Sequence, residues 1–162
     1  MITALIRTHP GREESTVRAI KSAQDEGLVV RIYYGETKSD YSYNLYCNIL
    51  KDQVTEGYFF FLDSDDFVIK GSVAKIIPYL EEDVPLIVQM LRNGRPKPKT
   101  GLIERGKIGL PCIVMHSKHK DKAIVLPNES GDFDFIKGVT DQIGYEFVPI
   151  PLVDAGKRGR GK

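Results

Sequence analysis

Apolar and polar residues alternate in blocks along this chain, and the blocks change period. Residues 2–7 form a short apolar run with the look of a buried strand. The segment Thr8-His9-Pro10-Gly11-Arg12 breaks it with turn-forming residues. Residues 13–26 then read as a helix, with Val17, Ile20 and Ala23 on one face, Glu13 and Glu14 in the first turn and Gly27 as the stop. A β-rich run at 28–34 ends at Gly35. The unit repeats: residues 41–56 carry Leu45, Ile49, Leu50 and Val54 at helical spacing, and Gly57 ends them. The stretch Tyr58-Phe59-Phe60-Phe61-Leu62 follows, continuously apolar, as a strand covered on both faces of a parallel sheet would be.

The second half continues with a helix over 71–82 shortened or kinked at Pro78, and a strand over 85–91. Residues 93–109 hold Pro96, Pro98, Gly101, Gly106, Gly109 and several bases, and read as a mobile excursion over one end of the sheet. A strand over 110–116, a helix over 132–143 and a strand over 146–153 complete the order. Strands alternating with helices predict an α/β fold, a three-layer sandwich around a mostly parallel sheet. The 162 residues fit one domain over 1–155, followed by a basic, flexible tail over 156–162 that packs four cations into seven residues.

Asp63, Asp65 and Asp66 follow the most apolar strand directly. In parallel α/β sheets, ligands bind beyond the carboxyl ends of the strands. Three carboxylates in four residues repel one another unless a cation or protons intervene. Mg²⁺ or Mn²⁺ suits such hard oxygens and leaves positions open for substrate phosphates. The plain alternative is a solvated acidic turn.

The run Phe59-Phe60-Phe61-Leu62-Asp63-Ser64-Asp65-Asp66 resembles the strand and Asp-x-Asp signature of GT-A glycosyltransferases, particularly the inverting family 2. The opening 2–12, with Thr8 and Arg12, is similar to that family's first strand and loop. The segment Arg18-Ala19-Ile20-Lys21-Ser22-Ala23-Gln24 is similar to its first helix, and Asn44 and Asn48 lie where asparagine recurs before the Asp-x-Asp strand. The resemblance covers about the first seventy residues well and the rest loosely. It implies a nucleotide-diphosphate sugar donor, a UDP- or GDP-sugar, bound with Mn²⁺ or Mg²⁺. Asp63 would contact the ribose or the metal shell, Asp65 would hold the metal between the two phosphates with Asp66 close by, and Thr8, Arg12 and Asn44 would lie around the nucleotide. The family's acidic turn after the second strand is absent; Tyr33-Tyr34-Gly35-Glu36-Thr37 stands there, which leaves Glu36 or a tyrosine to meet the base.

An inverting transfer needs a general base for the acceptor hydroxyl. The resemblance places it at Asp132, with Gly131 where a glutamate is usual and Asp134 as the second acid. The competing role for an aspartate there is capping. Cys112, His116 and His119 share a short span, but as zinc ligands they lack a partner cluster, and Cys112 reads better as a small buried residue. Arg92, Arg95, Lys97, Lys99 and Arg105 flank the excursion, either solvated or in contact with a diphosphate or an acceptor.

The bulk numbers narrow the classes. Hydrophobic residues are 41 %, charged residues 28 %, and the net charge is +1, so nothing in the balance calls for a nucleic-acid partner. No apolar run approaches a membrane span. Two separated cysteines and no evident leader point to a reducing cytoplasm. The acceptor side is short for the family, and a homo-oligomer is one way to complete it. Two other readings remain: a nucleotide-sugar-binding module without transfer, and a haloacid-dehalogenase-like phosphatase with Asp63 as nucleophile and Asp65 as acid. The strand–helix units before Asp63 argue against the phosphatase.

Overall fold

The computed structural model describes residues 1–35, 41 and 43–156. Glu36 and the basic sequence from 157 onward lie outside the described residues, and so do the roles expected of them. The strands are β1 (Ile2–Thr8), β2 (Val29–Tyr34), β3 (Tyr58–Asp63), β4 (Phe67–Val68), β5 (Leu86–Arg92), β6 (Arg95–Lys97), β7 (Ile113–His116) and β8 (Glu146–Asp154). The helices are α1 (Glu13–Asp25), α2 (Tyr43–Asp52), α3 (Ser72–Ile76) and α4 (Gly131–Ile143).

One sheet runs in the order β2-β1-β3-β7-β5-β8-β4, with β6 paired to β5. The long ladders, β1 with β2, β1 with β3 and β5 with β8, are parallel. The antiparallel ones, made by β4, β6 and β7, are two or three residues long. The carboxyl ends of β1, β2, β3, β5 and β8 therefore share one edge.

Side-chain parity sorts the two faces. Arg7 stands beside Asp63 in register, so Leu5, Phe59 and Phe61 share their face. Phe135 of α4 meets Phe61 edge-on at 5.8 Å, which puts α4 on that face. Asn44 and Cys47 of α2 reach Arg7 on the same side. Thr8 lies on the other face and bonds Thr16 of α1. Helices thus cover both faces of the sheet, the three-layer arrangement that the alternation predicts, and Phe59, Phe60, Phe61 and Leu62 are buried between the layers.

Several local expectations change. In α1 the inward residues are Thr16, Ala19 and Ala23, while Val17 is exposed. In α2 the buried face is Asn44, Cys47, Leu50 and Lys51, while Leu45 and Ile49 face solvent. Both helices satisfy a helical period on more than one face, and small or polar residues line the buried ones. The third helix stops at Ile76, and Pro78 turns the next residues into a 3₁₀ turn. Residues 110–112 are likewise a 3₁₀ turn, led by Pro111, before β7 begins.

The excursion is a packed structure. Asn93 and Gly94, with φ of 54° and 70°, make the two-residue turn between β5 and β6. Beyond it, Gln89 Nε2 donates to Pro98 O at 2.9 Å and Tyr145 Oη to Gly101 O at 2.7 Å. Ile108 and Leu110 are buried. These contacts anchor the segment at Pro98, Gly101 and Ile108.

Candidate active site

The shared carboxyl edge brings the aspartate loop against β1. Asp63 closes β3, and Asp66 N donates to Asp63 O at 3.0 Å to form the turn. Arg7 Nε and Nη2 both reach Asp63 Oδ1 at 2.9 Å. The pair is mostly withdrawn from water, with the side chains 11 % and 21 % exposed. Arg7 Nη1 also donates to Asn44 Oδ1 at 2.7 Å. Asn44, 2 % exposed, in turn donates from Nδ2 to Leu126 O at 3.0 Å and Asn128 O at 3.3 Å. A buried charge pair stands only when its remaining hydrogen-bonding positions are met in this way.

The network continues to the start of α4. A Cβ on Gly131 would lie 2.1 Å from Leu126 O and 2.7 Å from Asn44 Nδ2, so only glycine allows this approach. The next residue is Asp132. Its Oδ2 accepts a long 3.5 Å bond from Leu110 N. Asp134 does something different: its Oδ2 accepts from Ser130 Oγ at 2.7 Å and so braces the start of its own helix. The thiol of Cys47 is buried beside Arg7. Burial pushes it up to about 12, Arg7 pulls it down, and Asp63 and Asp132 push it further up. Arg7 and Asp63, from β1 and β3, thus connect through Asn44 to the Gly131 turn that opens α4, with Asp132 the next residue.

The other expected residues fall as follows. Asp65 is exposed and ion-paired to Arg12, the residue before α1. Thr8 is buried, its hydroxyl 2.7 Å from that of Thr16. Thr16 Oγ1 donates to Arg12 O at 2.7 Å, so Thr8 and Thr16 secure the backbone from which Arg12 reaches Asp65. Asp66 is buried, 3 % exposed. Among the described residues no three His, Cys, Asp or Glu side chains gather as a metal centre. Asp63, which an aspartyl-phosphate mechanism needs as nucleophile, has Oδ1 held twice by Arg7.

Cys112, His116 and His119 do not form a site either. The Cys112 sulfur donates to Lys97 O, His119 Nε2 lies 2.8 Å from Glu82 O, and His116 packs edge-on to Tyr58 at the opposite end of β3. At the end of β2, Tyr33 stacks on Tyr46 with centroids 4.7 Å apart, and a Cβ on Gly35 would strike the Tyr46 ring at 1.9 Å.

Arg7 is the central residue of this network, and the sequence pattern alone does not single it out. It passes for the end of an apolar strand, and only the register with β3 reveals its partner. The β5–β6 hairpin stands where a loop is expected, and Asn93-Gly94 is its two-residue turn signal.

Solved structures share this fold. Residues 1–349 of TarS from S. aureus in complex with UDP-GlcNAc superpose with a TM-score of 0.73 at 15 % identity, over 100 % of this chain and 60 % of that one. A glycosyltransferase involved in glycosylation of the major capsid of PBCV-1 gives 0.55 at 12 % identity, over 99 % and 98 % of the two chains. A197 from STIV gives 0.58 at 12 % identity, over 92 % and 82 %. The chain thus spans about 60 % of the TarS fragment's length. No protein-family model and no curated protein matches the sequence. The fold is that of GT-A-like glycosyltransferases.

Proposed function

We propose that this protein transfers a sugar from a nucleotide-diphosphate donor to an acceptor hydroxyl, with inversion and with help from a divalent metal. The observation that carries the reading is the network linking Asp63, Arg7 and Asn44 to the Gly131–Asp132 helix start, which holds a donor-side aspartate loop and a candidate base at one place on the ligand edge. The shared fold with a UDP-GlcNAc-bound glycosyltransferase supports the choice of donor class.

Asp65 fits a metal that arrives with the donor. Mg²⁺ or Mn²⁺ in such sites takes one or two protein carboxylates and fills its shell with water and substrate phosphate. Asp65 is exposed and carries a hard oxygen donor, whereas Asp63 is committed to Arg7. Bound there, the ion would offset the charge growing on the leaving diphosphate. Arg12, freed from Asp65, would be positioned to pair with phosphate oxygens. Arg7 holds Asp63 in place to accept from the donor's ribose. Asp132 takes the acceptor hydroxyl's proton as that oxygen attacks the anomeric carbon. Asp134 is turned back to Ser130, which favours Asp132 for that role.

Calorimetry with UDP, GDP and their sugars, with and without Mn²⁺, tests the reading. Metal-dependent binding of at least one nucleotide is expected, and Asp65→Ala should weaken it at least tenfold. If none of these nucleotides binds in the presence of metal, the proposal fails. Binding without transfer or hydrolysis would leave the alternative of a binding module.

A further inference from the structure

The hairpin beside the candidate base carries a concentration of charge that the donor site does not use. From Arg92 to Lys107 the sequence holds six cations, Arg92, Arg95, Lys97, Lys99, Arg105 and Lys107, against the single acid Glu104, in a protein of net charge +1. Glu104 is taken by Lys107. Arg92 stands directly opposite Arg95 in the antiparallel ladder, and Met90 opposite Lys97. Residues opposite and residues two apart share a face, so Met90, Arg92, Arg95 and Lys97 form one surface. Among the described residues Arg92, Arg95 and Lys97 make no side-chain ion pair. Like charges directly opposite destabilise a ladder.

This surface faces the candidate base. A Cβ on Gly109 would meet Met90 Cε at 3.6 Å and Asp132 Oδ2 at 3.8 Å, so Met90 and the Asp132 carboxylate flank one glycine. Lys97, Arg92 and Arg95 continue the Met90 face outward. The Arg105 guanidinium lies 5.8 Å from the centre of the Phe133 ring, on the residue after Asp132. Arg7 and Arg12, the donor-side cations, belong to β1 and the first loop and are already paired.

We infer that the Arg92–Arg95–Lys97 face binds the acceptor, and that this acceptor is a chain bearing repeated anionic groups. The inference rests on the transferase reading for the word acceptor, but the anion site stands on its own geometry. Neighbouring cations on this face are spaced roughly 5–7 Å apart at the backbone, a spacing that suits successive phosphates or carboxylates of a polymer. An anion there relieves the repulsion between Arg92 and Arg95, and guanidinium groups hold phosphate or carboxylate in a two-pronged fashion.

Fluorescence anisotropy or calorimetry of the whole chain in EDTA tests it, using a short linear polyphosphate, a polygalacturonate oligomer and uncharged dextran. Binding to at least one anionic chain and none to dextran is expected, weakening steeply with added salt. Tighter binding of polyphosphate assigns phosphate as the recognised group; tighter binding of polygalacturonate assigns carboxylate. The variant Arg92→Ala/Arg95→Ala/Lys97→Ala should lose at least tenfold in affinity, Arg92→Lys/Arg95→Lys, which keeps the charge but loses the two-pronged grip, should lose less than the triple variant, and Lys70→Ala/Lys75→Ala should match wild type. An unchanged thermal midpoint shows that each variant is folded. Failure of both chains to bind, or undiminished binding by the triple alanine variant, overturns the proposal. Nucleotide-sugar binding with Mn²⁺ on the same samples reports the transferase reading separately. Its loss in wild type removes that reading, whereas its retention in the triple variant alongside lost polymer binding separates acceptor site from donor site.

Discussion

Two cationic regions share the carboxyl edge of the sheet, and they differ in what faces them. On the β1–β3 side, Arg7 and Arg12 each meet an aspartate, and Arg7 is further held by Asn44. On the β5–β6 hairpin, Arg92 and Arg95 face each other, with no acid paired to them among the described residues. Paired, half-buried guanidinium groups hold a shape: they set where Asp63 points before any ligand arrives. Unpaired cations on an exposed ladder hold no shape and are free to take an anion from solution. Asp132 stands between the regions, next to the Gly131 turn that meets Asn44 on one side and beside Gly109 and Met90 on the other.

The sharpest way to break this picture is at that junction. Asp132→Asn keeps the size of the side chain and removes its basicity. It should lower kcat by roughly 10²–10⁴-fold while leaving donor affinity unchanged. Asp134→Asn should cost far less in rate, because its partner is Ser130. A fully active Asp132→Asn would move the base elsewhere.

The contrast between paired and unpaired cations is tested by stability. Arg7→Met strands Asp63 and leaves Asn44 Oδ1 without its donor, and should cost about 2–4 kcal/mol in urea unfolding. Arg95→Met removes a like-charge contact and should change stability by less than about 0.5 kcal/mol in either direction. Equal costs at the two positions would erase the distinction.

The smallest effect concerns the cysteines, one on each side. Burial pushes the thiols of Cys47 and Cys112 up to about 12. An unfolded thiol ionises near 9.0. Between those values the unfolded chain sheds protons that the folded chain keeps, so stability falls as pH rises from about 9 to about 12. Cys47→Ala and Cys112→Ala should each flatten that fall. At pH 8 both thiols should react with a thiol reagent only as fast as the protein opens, and rapid labelling of Cys47 would contradict its burial beneath Arg7.

Much of the donor side was legible from residues alone, because its signals are local. The apolar run of β3 marks a central strand, and three aspartates follow within four positions. Arg7 carried no such signal: its partner lies 56 residues away and is set by strand register. Asn44 stood in the right helix, but its work of joining Arg7 to Leu126 O and Asn128 O depends on α2 burying its polar face instead of Leu45 and Ile49. The hairpin's bases were visible while their alignment was not. Pro96, Pro98 and the glycines read as a loop, whereas Asn93-Gly94 forms the turn that pairs Arg92 with Arg95.

From the sequence come the order of the longer strands and helices, the edge on which the aspartates lie, and the presence of an acid at the start of α4. These follow from periodicity and turn chemistry, which act over a few residues. The tertiary structure alone decides which charge meets which. Arg7 reaches Asp63 because β1 and β3 run parallel in one register, and Arg92 opposes Arg95 because β6 turns back on β5. Such pairings depend on strand direction and register across the sheet, and a one-residue slip would turn each side chain to the other face.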